Sequence, residues 1–266
     1  MNFLKLLRFF RKEKAIKHCG LADRIFRYWA SHVGEEEYLF YDRFIRDSRG
    51  LSLELACGGG RLLLRFLHNK LSVEGVESSQ VLLSLLMTRA AKMKLSPVVY
   101  NQKIEAVDIR NKEYGLIYIP LGSFQLISDR EVAQKALQIY HNLLSSKGRL
   151  IITTFLPWAQ DACKTNGWQI MRDVRLRTPK QRFVVRELVR HDPIEQLFFS
   201  QLRSELWDDK DLLIFEQRDF FLRWYSHGEL IALLRGVGFH TISVQRSYRE
   251  NALYKPAFLL FIAEKL

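Results

Sequence analysis

Apolar and polar positions change period repeatedly along this chain, and the changes mark its elements. Leu51–Leu55 is a short apolar run interrupted by one acid, Glu54. Ala56-Cys57-Gly58-Gly59-Gly60-Arg61 and a leucine-rich stretch, Leu62–Leu67, follow it, which reads as strand, tight turn and helix. A second run, Leu71–Val76, ends in Glu77. Ser78-Ser79 then caps a helix that runs to about Lys94. Pro97–Tyr100 and Tyr114–Pro120 predict a third and a fourth strand. Asp129–Leu144 predicts a helix, with Val132, Ala136, Leu137, Tyr140 and Leu144 near helical spacing. Ser145–Gly148 is a helix-ending turn, and Arg149–Phe155 is a fifth strand. Short apolar runs alternating with helical stretches predict a largely parallel sheet covered by helices, the α/β class.

Past Phe155 the period falls to two. Trp168–Arg177, Arg182–Arg190, Leu197–Trp207 and Leu212–Phe221 read as four antiparallel strands. Asp208-Asp209-Lys210-Asp211 makes the turn between the last two. The stretch 159–225 is therefore a β-rich insertion before the last helix. Ser226-His227-Gly228-Glu229 is a capping box for a helix over Leu230–Arg235, and Gly238 ends it. His240–Val244 and Phe258–Ala263 supply two more strands. No repeat or low-complexity linker divides the chain. The organisation expected is an N-terminal helical cap over 1–50 and one main domain over 51–266 that contains the insertion.

The turn at 56–61 is the richest in chemistry. Glycines there let backbone approach a ligand closely, and the following helix presents free N–H groups to whatever sits in the turn. Glu77 falls about one strand–helix–strand unit after Glu54, where an acid can grip ribose hydroxyls. A dinucleotide fingerprint fails, because its third glycine would fall at Leu63. A P-loop fails because Arg61 follows Gly60. What fits is Glu-x-Gly-x-Gly-x-Gly with Ala56 in place of the first glycine. Here the chain resembles the class I S-adenosylmethionine-dependent methyltransferases, from about Leu51 to Trp158 and again from Ser226 onward.

That resemblance implies a three-layer sandwich with a seven-stranded, mostly parallel sheet whose last strand is antiparallel, and the cofactor S-adenosylmethionine. It places Glu54, Ala56, Cys57, Gly58, Gly60 and Arg61 at the methionine and ribose parts of the cofactor, with Arg61 a partner for the carboxylate. Glu77 takes the ribose hydroxyls and Ser78 flanks the adenine. Many members have Asp where this chain has Lys103, before Ile104. Lysine cannot accept from the adenine amino group, so the reading passes that task to Gln102 or to backbone groups. Pro120 and Ser123 follow the fourth strand at the ligand-binding edge. Tyr38, Tyr41, Trp158, Arg223 and Tyr225 are candidates for a substrate lid, the alternative for each aromatic being a core position.

The 266 residues are 48% apolar, enough for one large core with an added subdomain, and carry a net charge of +12. The charge is densest at Met1–Lys17 and Trp168–Arg190, which favours anionic partners. Cys19, Cys57 and Cys163 are too few and too scattered for a disulfide framework, and no metal-ligand spacing occurs; a reducing cytoplasm is the natural setting. No apolar run has the length of a membrane span. The interrupted apolar N-terminus reads as a cap helix, with peripheral membrane contact as the alternative. The fourth strand lacks the Asp/Asn-Pro-Pro-Tyr signature of nucleobase-amine methylation. The function expected is therefore methyl transfer to a small-molecule acceptor, polar or anionic. An RNA methyltransferase and a non-catalytic S-adenosylmethionine-binding module are the rivals. Uncovered strand edges in the insertion leave a homodimer open.

Overall fold

The structure, a computed structural model, describes residues 35–156, 167–175, 180–248 and 258–266. Its main sheet has seven strands. These are β1 (Ser52–Leu55), β2 (Val73–Val76), β3 (Val99–Tyr100), β4 (Tyr114–Ile119), β5 (Leu144–Phe155), β10 (Thr241–Gln245) and β11 (Phe258–Glu264), in the order β10-β11-β5-β4-β1-β2-β3. β1 pairs in parallel with β2 and β4, β2 with β3, and β4 with β5. β11 runs antiparallel to both β5 and β10. The seven-stranded sheet with one reversed strand is the one the resemblance implied.

Residue choice explains the layering. Every position of β1, β2 and β4 is buried, as parallel strands covered on both faces require. Helices α1 (Glu35–Asp47), α2 (Leu63–His68) and α3 (Gln80–Lys92) cover one face, burying Tyr41, Phe66 and Leu86 with Tyr118 and Ile151. Helices α4 (Arg130–Leu143) and α5 (His227–Gly236) cover the other, with Leu137, Tyr140, Leu230 and Leu234 packed on Ile117, Ile119 and Phe261. The caps fall where the sequence puts them. Ser79, Asp129 and Ser226 each accept a hydrogen bond from the backbone N–H three residues on. The differences are at ends: β3 keeps only Val99–Tyr100, and β5 begins at Leu144, taking in Ser145–Gly148 with Lys147 at φ +60°.

The insertion is a four-stranded antiparallel sheet: β6 (Gln169–Arg175), β7 (Gln181–Asp192), β8 (Leu197–Asp208) and β9 (Asp211–Arg223). Asp208 pairs with Asp211 across the two-residue turn, and Asp209 takes φ +53°. The period of two sends Phe183, Val185, Glu187 and Val189 of β7 to one face, with Phe198, Ser200, Leu202 and Ser204 of β8. At the Val189 end that face meets the main domain, where Phe198 and Leu222 pack with Phe155 at the end of β5. Trp158, the basic N-terminal segment, Cys19 and Cys163 lie outside the described residues.

Candidate active site

The chain steps outward in one direction from β1 to β2 and β3, and in the other from β4 to β5. The crevice of such a sheet opens at that switch, outside the carboxyl ends of β1 and β4. The glycine turn lies there. Ala56, Gly58 and Gly60 all have positive φ, +57°, +56° and +76°. The left-handed conformation costs an alanine about 1–2 kcal/mol, so the turn holds strain at a ligand-binding edge. Gly60 has no room for a side chain either: an added Cβ would stand 2.8 Å from Leu64 Cγ and 2.9 Å from Leu86 Cγ. Arg89 of α3 donates to the Gly59 carbonyl at 2.7 Å, fixing the turn from above.

Glu77 is the hub of this edge. Its Oε2 accepts from Gly58 N at 2.9 Å and its Oε1 from Ser79 N at 2.7 Å, so one carboxylate ties the turn to the start of α3. Each oxygen keeps a second lone pair for ligand hydroxyls. Glu54 is buried beneath the turn and accepts from Tyr118 Oη at 3.0 Å. Burial drives its pKa up to about 8 against the pull of Arg61 and the Tyr118 bond. Cys57 is a packing residue; burial raises its thiol pKa, and Gly75 makes room for its sulfur, which would lie 2.7 Å from a Cβ there. Burial suits an uncharged thiol, not a nucleophile.

Arg61, which the resemblance puts beside the cofactor carboxylate, is paired within the fold. Its Nη1 and Nη2 donate to Glu37 of α1 at 2.8 and 3.0 Å, with the two side chains 10% and 3% exposed. The pair bolts the cap helix to the turn. Arg65, one helical turn on, repeats the device with Glu35 at 2.6 and 2.8 Å. Tyr38 and Tyr41 are part of the same joint and occupy core positions, the alternative to a lid that the sequence offered for them. Tyr38 stacks on Phe66 with centroids 5.0 Å apart and lies under Arg65. Tyr41 is fully buried, shares a 2.8 Å hydrogen bond with Thr153, and packs on Tyr118. The apolar spacing that buries these rings also carries Glu37 inward, so the core position was legible and the ion pair was not.

Around β3 the structure sorts the polar residues. Gln102 is closed on the backbone of Asp108, accepting from its N at 3.0 Å and donating to its O at 3.1 Å. Lys103 is exposed, with Glu105 3.9 Å away, and Ile104 is buried with its carbonyl taken by Tyr140. Ser78 is exposed beside Glu77. At the end of β4, Pro120 O accepts from both N and Oγ of Ser123, across Leu121 and Gly122 at φ +53° and +71°. A Cβ at Gly122 would strike the Phe155 ring at 2.7 Å. Gln125, absent from the sequence reading, holds the end of β5 through both backbone groups of Phe155, at 2.8 and 3.2 Å.

Arg223 and Tyr225 reach this loop from the insertion side. Arg223 Nε donates to Ser128 O at 2.7 Å, and the Tyr225 ring packs on Phe124 at 5.5 Å. They brace the insertion against the crevice. Glu187 and Ser200 are polar residues of the insertion that no sequence motif marks, whereas Asn101 opens the stretch 101–105 where the resemblance puts recognition of the adenine amino group, and its Nδ2 donates to Glu77 O at 2.9 Å and Ser78 O at 3.2 Å. Ser200 donates to the Glu187 carboxylate, and burial raises that carboxyl's pKa.

The donor set suits a nucleoside cofactor: an acid held at the ribose position, backbone approachable at two glycines, and a helix start facing the turn. Residues 53–148 match the family model described as a methyltransferase domain. Over that stretch the chain is similar to a methyltransferase domain. Its fold is that of class I enzymes, whose methyl donor is S-adenosylmethionine. A Clostridium acetobutylicum S-adenosylmethionine-dependent methyltransferase superposes with TM-score 0.73 at 17% identity, over 88% of this chain and 93% of that one. A Micromonospora echinaspora amino pentose methyltransferase, solved with S-adenosylmethionine bound, gives 0.70 at 13% identity, over 96% and 100%. A sugar N-methyltransferase from a Streptoalloteichus species gives 0.72 at 13% identity, over 96% and 95%. A search of curated protein sequences finds no match.

Proposed function

We propose that the protein transfers a methyl group from S-adenosylmethionine to a small, polar acceptor held between the Pro120–Ser123 loop and the insertion. The observation that carries this reading is the bracing of the insertion over the carboxyl edge, through Arg223–Ser128, Tyr225–Phe124 and Phe198–Phe155. A roof of that kind suits a compact acceptor better than a polymer. Similar structures that methylate an amino pentose or a sugar nitrogen make amino sugars the first class to test.

The donor supplies an electrophilic methyl on a charged sulfur. The chain's residues then bind, orient and exclude water, which in-line positioning can make worth about 7–11 kcal/mol of the barrier. Glu77 holds ribose hydroxyls, Gly58 and Gly60 give backbone contact, and Ser78 lies beside the base. Glu187, whose carboxyl pKa burial raises against the Ser200 hydrogen bond, lies on the same face of the insertion as Phe198 and is the candidate to meet an acceptor hydroxyl or amine. An anionic acceptor finds less support. Arg182 pairs with Asp173, and Arg186 with Glu205 on the opposite face of the insertion from Val185.

Among the described residues β6 and β9 pair with no further strand on their outer edges, which makes a homodimer part of the reading. Among the described residues no helix is long and apolar enough to cross a membrane; a cytoplasmic setting belongs to the proposal. The test is transfer of labelled methyl from S-adenosylmethionine to an amino-sugar panel, a metabolite extract and total RNA, at low and moderate salt. Label in the small-molecule fraction is expected. Label in RNA alone would overturn the reading.

A further inference from the structure

We propose that the amino edge of the main sheet, opposite the crevice, docks the protein on an anionic lipid surface. The inference goes beyond the donor reading and does not depend on it.

The five parallel strands lie in the order β5-β4-β1-β2-β3. The turn that feeds each one carries a basic residue: Lys147, Lys112, Arg49, Lys70 and Lys94, in that same order. At the spacing of neighbouring strands the row is roughly 19 Å long. All five residues are exposed. Lys112 pairs with Glu74, and the other four make no side-chain hydrogen bond or ion pair among the described residues. Nearby acids are taken up by other cations, Asp47 by Arg149 and Asp108 by Arg110, with Glu113 left exposed.

Three of these lysines sit where lysine fits poorly. Lys70, Lys94 and Lys147 have φ of +64°, +57° and +60°. Lys70 and Lys94 come directly after the C-caps of α2 and α3, the place most often given to glycine. A cation there complements the helix dipole, but the left-handed strain on a residue with a Cβ is of similar or larger size. Local stability therefore does not account for lysine at all three turns, and a shared anionic partner does.

The neighbours favour lipid over nucleic acid. Met93 and Val98, 38% and 48% exposed, flank Lys94. Apolar tips beside cations enter the boundary between headgroups and acyl chains, whereas a phosphate backbone offers them nothing. Bases would need aromatic rings to stack on. Among the described residues the large exposed aromatics are Trp168 and Phe215, in the insertion and not at this edge. Each cation near an anionic leaflet multiplies affinity by about fivefold. The row therefore gives a reversible, salt-sensitive attachment that leaves the crevice, at the carboxyl edge, open to its ligands.

Flotation of the full chain with vesicles tests this, using phosphatidylcholine alone and equal parts phosphatidylglycerol and phosphatidylcholine. Binding is expected on the anionic vesicles only, falling as salt rises. The triple variant Lys70→Gly, Lys94→Gly, Lys147→Gly should bind at least about tenfold more weakly. Its melting temperature should be no lower than that of the wild type, because glycine relieves the strain. If it melts lower, asparagine at the same three positions, which also tolerates the left-handed region, must show the same loss of binding. A control of equal charge, Lys135→Gln, Lys180→Gln, Lys210→Gln, removes cations from α4 and the insertion and should bind within about threefold of wild type. Every variant keeps the basic stretch Met1–Lys17, so the differences report the edge. Equal weakening in both triples would mean that binding follows net charge, and would overturn the proposal. So would binding that ignores lipid charge, and so would no vesicle binding, with or without affinity for single-stranded RNA.

Discussion

The seven-stranded sheet and the four-stranded insertion handle their polar residues in opposite ways. In the main domain most buried polar groups are closed by short bonds, Glu54 on Tyr118, Glu37 on Arg61, Tyr41 on Thr153 and Gln125 on Phe155, with Thr154 Oγ1 of β5 the exception. In the insertion, charges form a lattice on one face, with Arg186, Arg203 and Trp207 gathered around Glu205. On the other face Ser204 Oγ and Glu216 Oε2 are buried without a partner. A buried unsatisfied group costs about 1–3 kcal/mol. On the proposed function the larger sheet would meet its cofactor at strand ends and turns. The insertion has the less fully bonded interior, and on the same reading it is the part that meets the acceptor.

The comparison is broken most severely by opening the joint between cap and turn. Glu37→Gln strands Arg61 without its counter-charge in a nearly dry site. Removing one partner of such a pair costs about 3–5 kcal/mol, measured as the loss in urea unfolding free energy. Replacing both residues with apolar ones of similar size should recover much of it. A loss under about 1 kcal/mol would place the pair among exposed ion pairs and remove the contrast.

Gly60→Ala comes next. The residue sits at φ +76°, and its Cβ would meet Leu64 and Leu86 below 3.0 Å. Strain of about 1–2 kcal/mol and overpacking of about 1–3 kcal/mol both act. Affinity for S-adenosylhomocysteine should fall with stability, because the turn must move to admit the methyl group. Unchanged stability and affinity would show that the turn is not tightly built.

A pH profile sharpens the contrast at Glu54. Its folded-state pKa, about 8, lies above the ordinary value of 4.5. The folded protein therefore holds a proton that the unfolded chain releases. The stability this gives is fully present below about pH 4.5 and is lost as pH rises toward 8. Melting curves at pH 5, 7 and 9 should show the wild type losing more stability across this range than Glu54→Gln, which has no proton to release. Parallel profiles would mean that the carboxyl is already ionised, held by Arg61.

How much of this the sequence discloses follows the same division. The strands and caps are legible because period and end signals are local: Ser79, Asp129 and Ser226 cap where read, and the Asp208–Asp211 turn closes as its residues require. The glycine turn is legible because its φ values demand a rare residue type. Partnerships across the fold are not local. Arg61 meets Glu37, and Gln102 closes on Asp108, because tertiary packing brings them together, and no spacing rule encodes either contact. Arg61 looked free for a ligand because its partner lies in a different helix. Tyr38 and Tyr41 fit both a lid and a core until the helix carrying them was placed on α2.

The smallest effect should come from the insertion. Phe215 lies on the charged face, 43% exposed, with the Arg203 guanidinium 4.4 Å from its ring centroid. Phe215→Ser removes that contact, worth about 0.5–1 kcal/mol at an exposed site, and little buried area. Total loss should stay near 1 kcal/mol, with cofactor affinity unchanged, since no described contact links this face to the glycine turn. A loss of about 3 kcal/mol or more belongs to a closed aromatic core. That would mean the face is covered, by another copy of the chain or by a segment of this one. The dimer would then show in light scattering, and the protomer concentration dependence of the melting temperature would disappear in the variant. A small loss with no such dependence keeps the two sheets different in kind: one packed under helices on both faces, the other held mainly by its own strands and braced at one end.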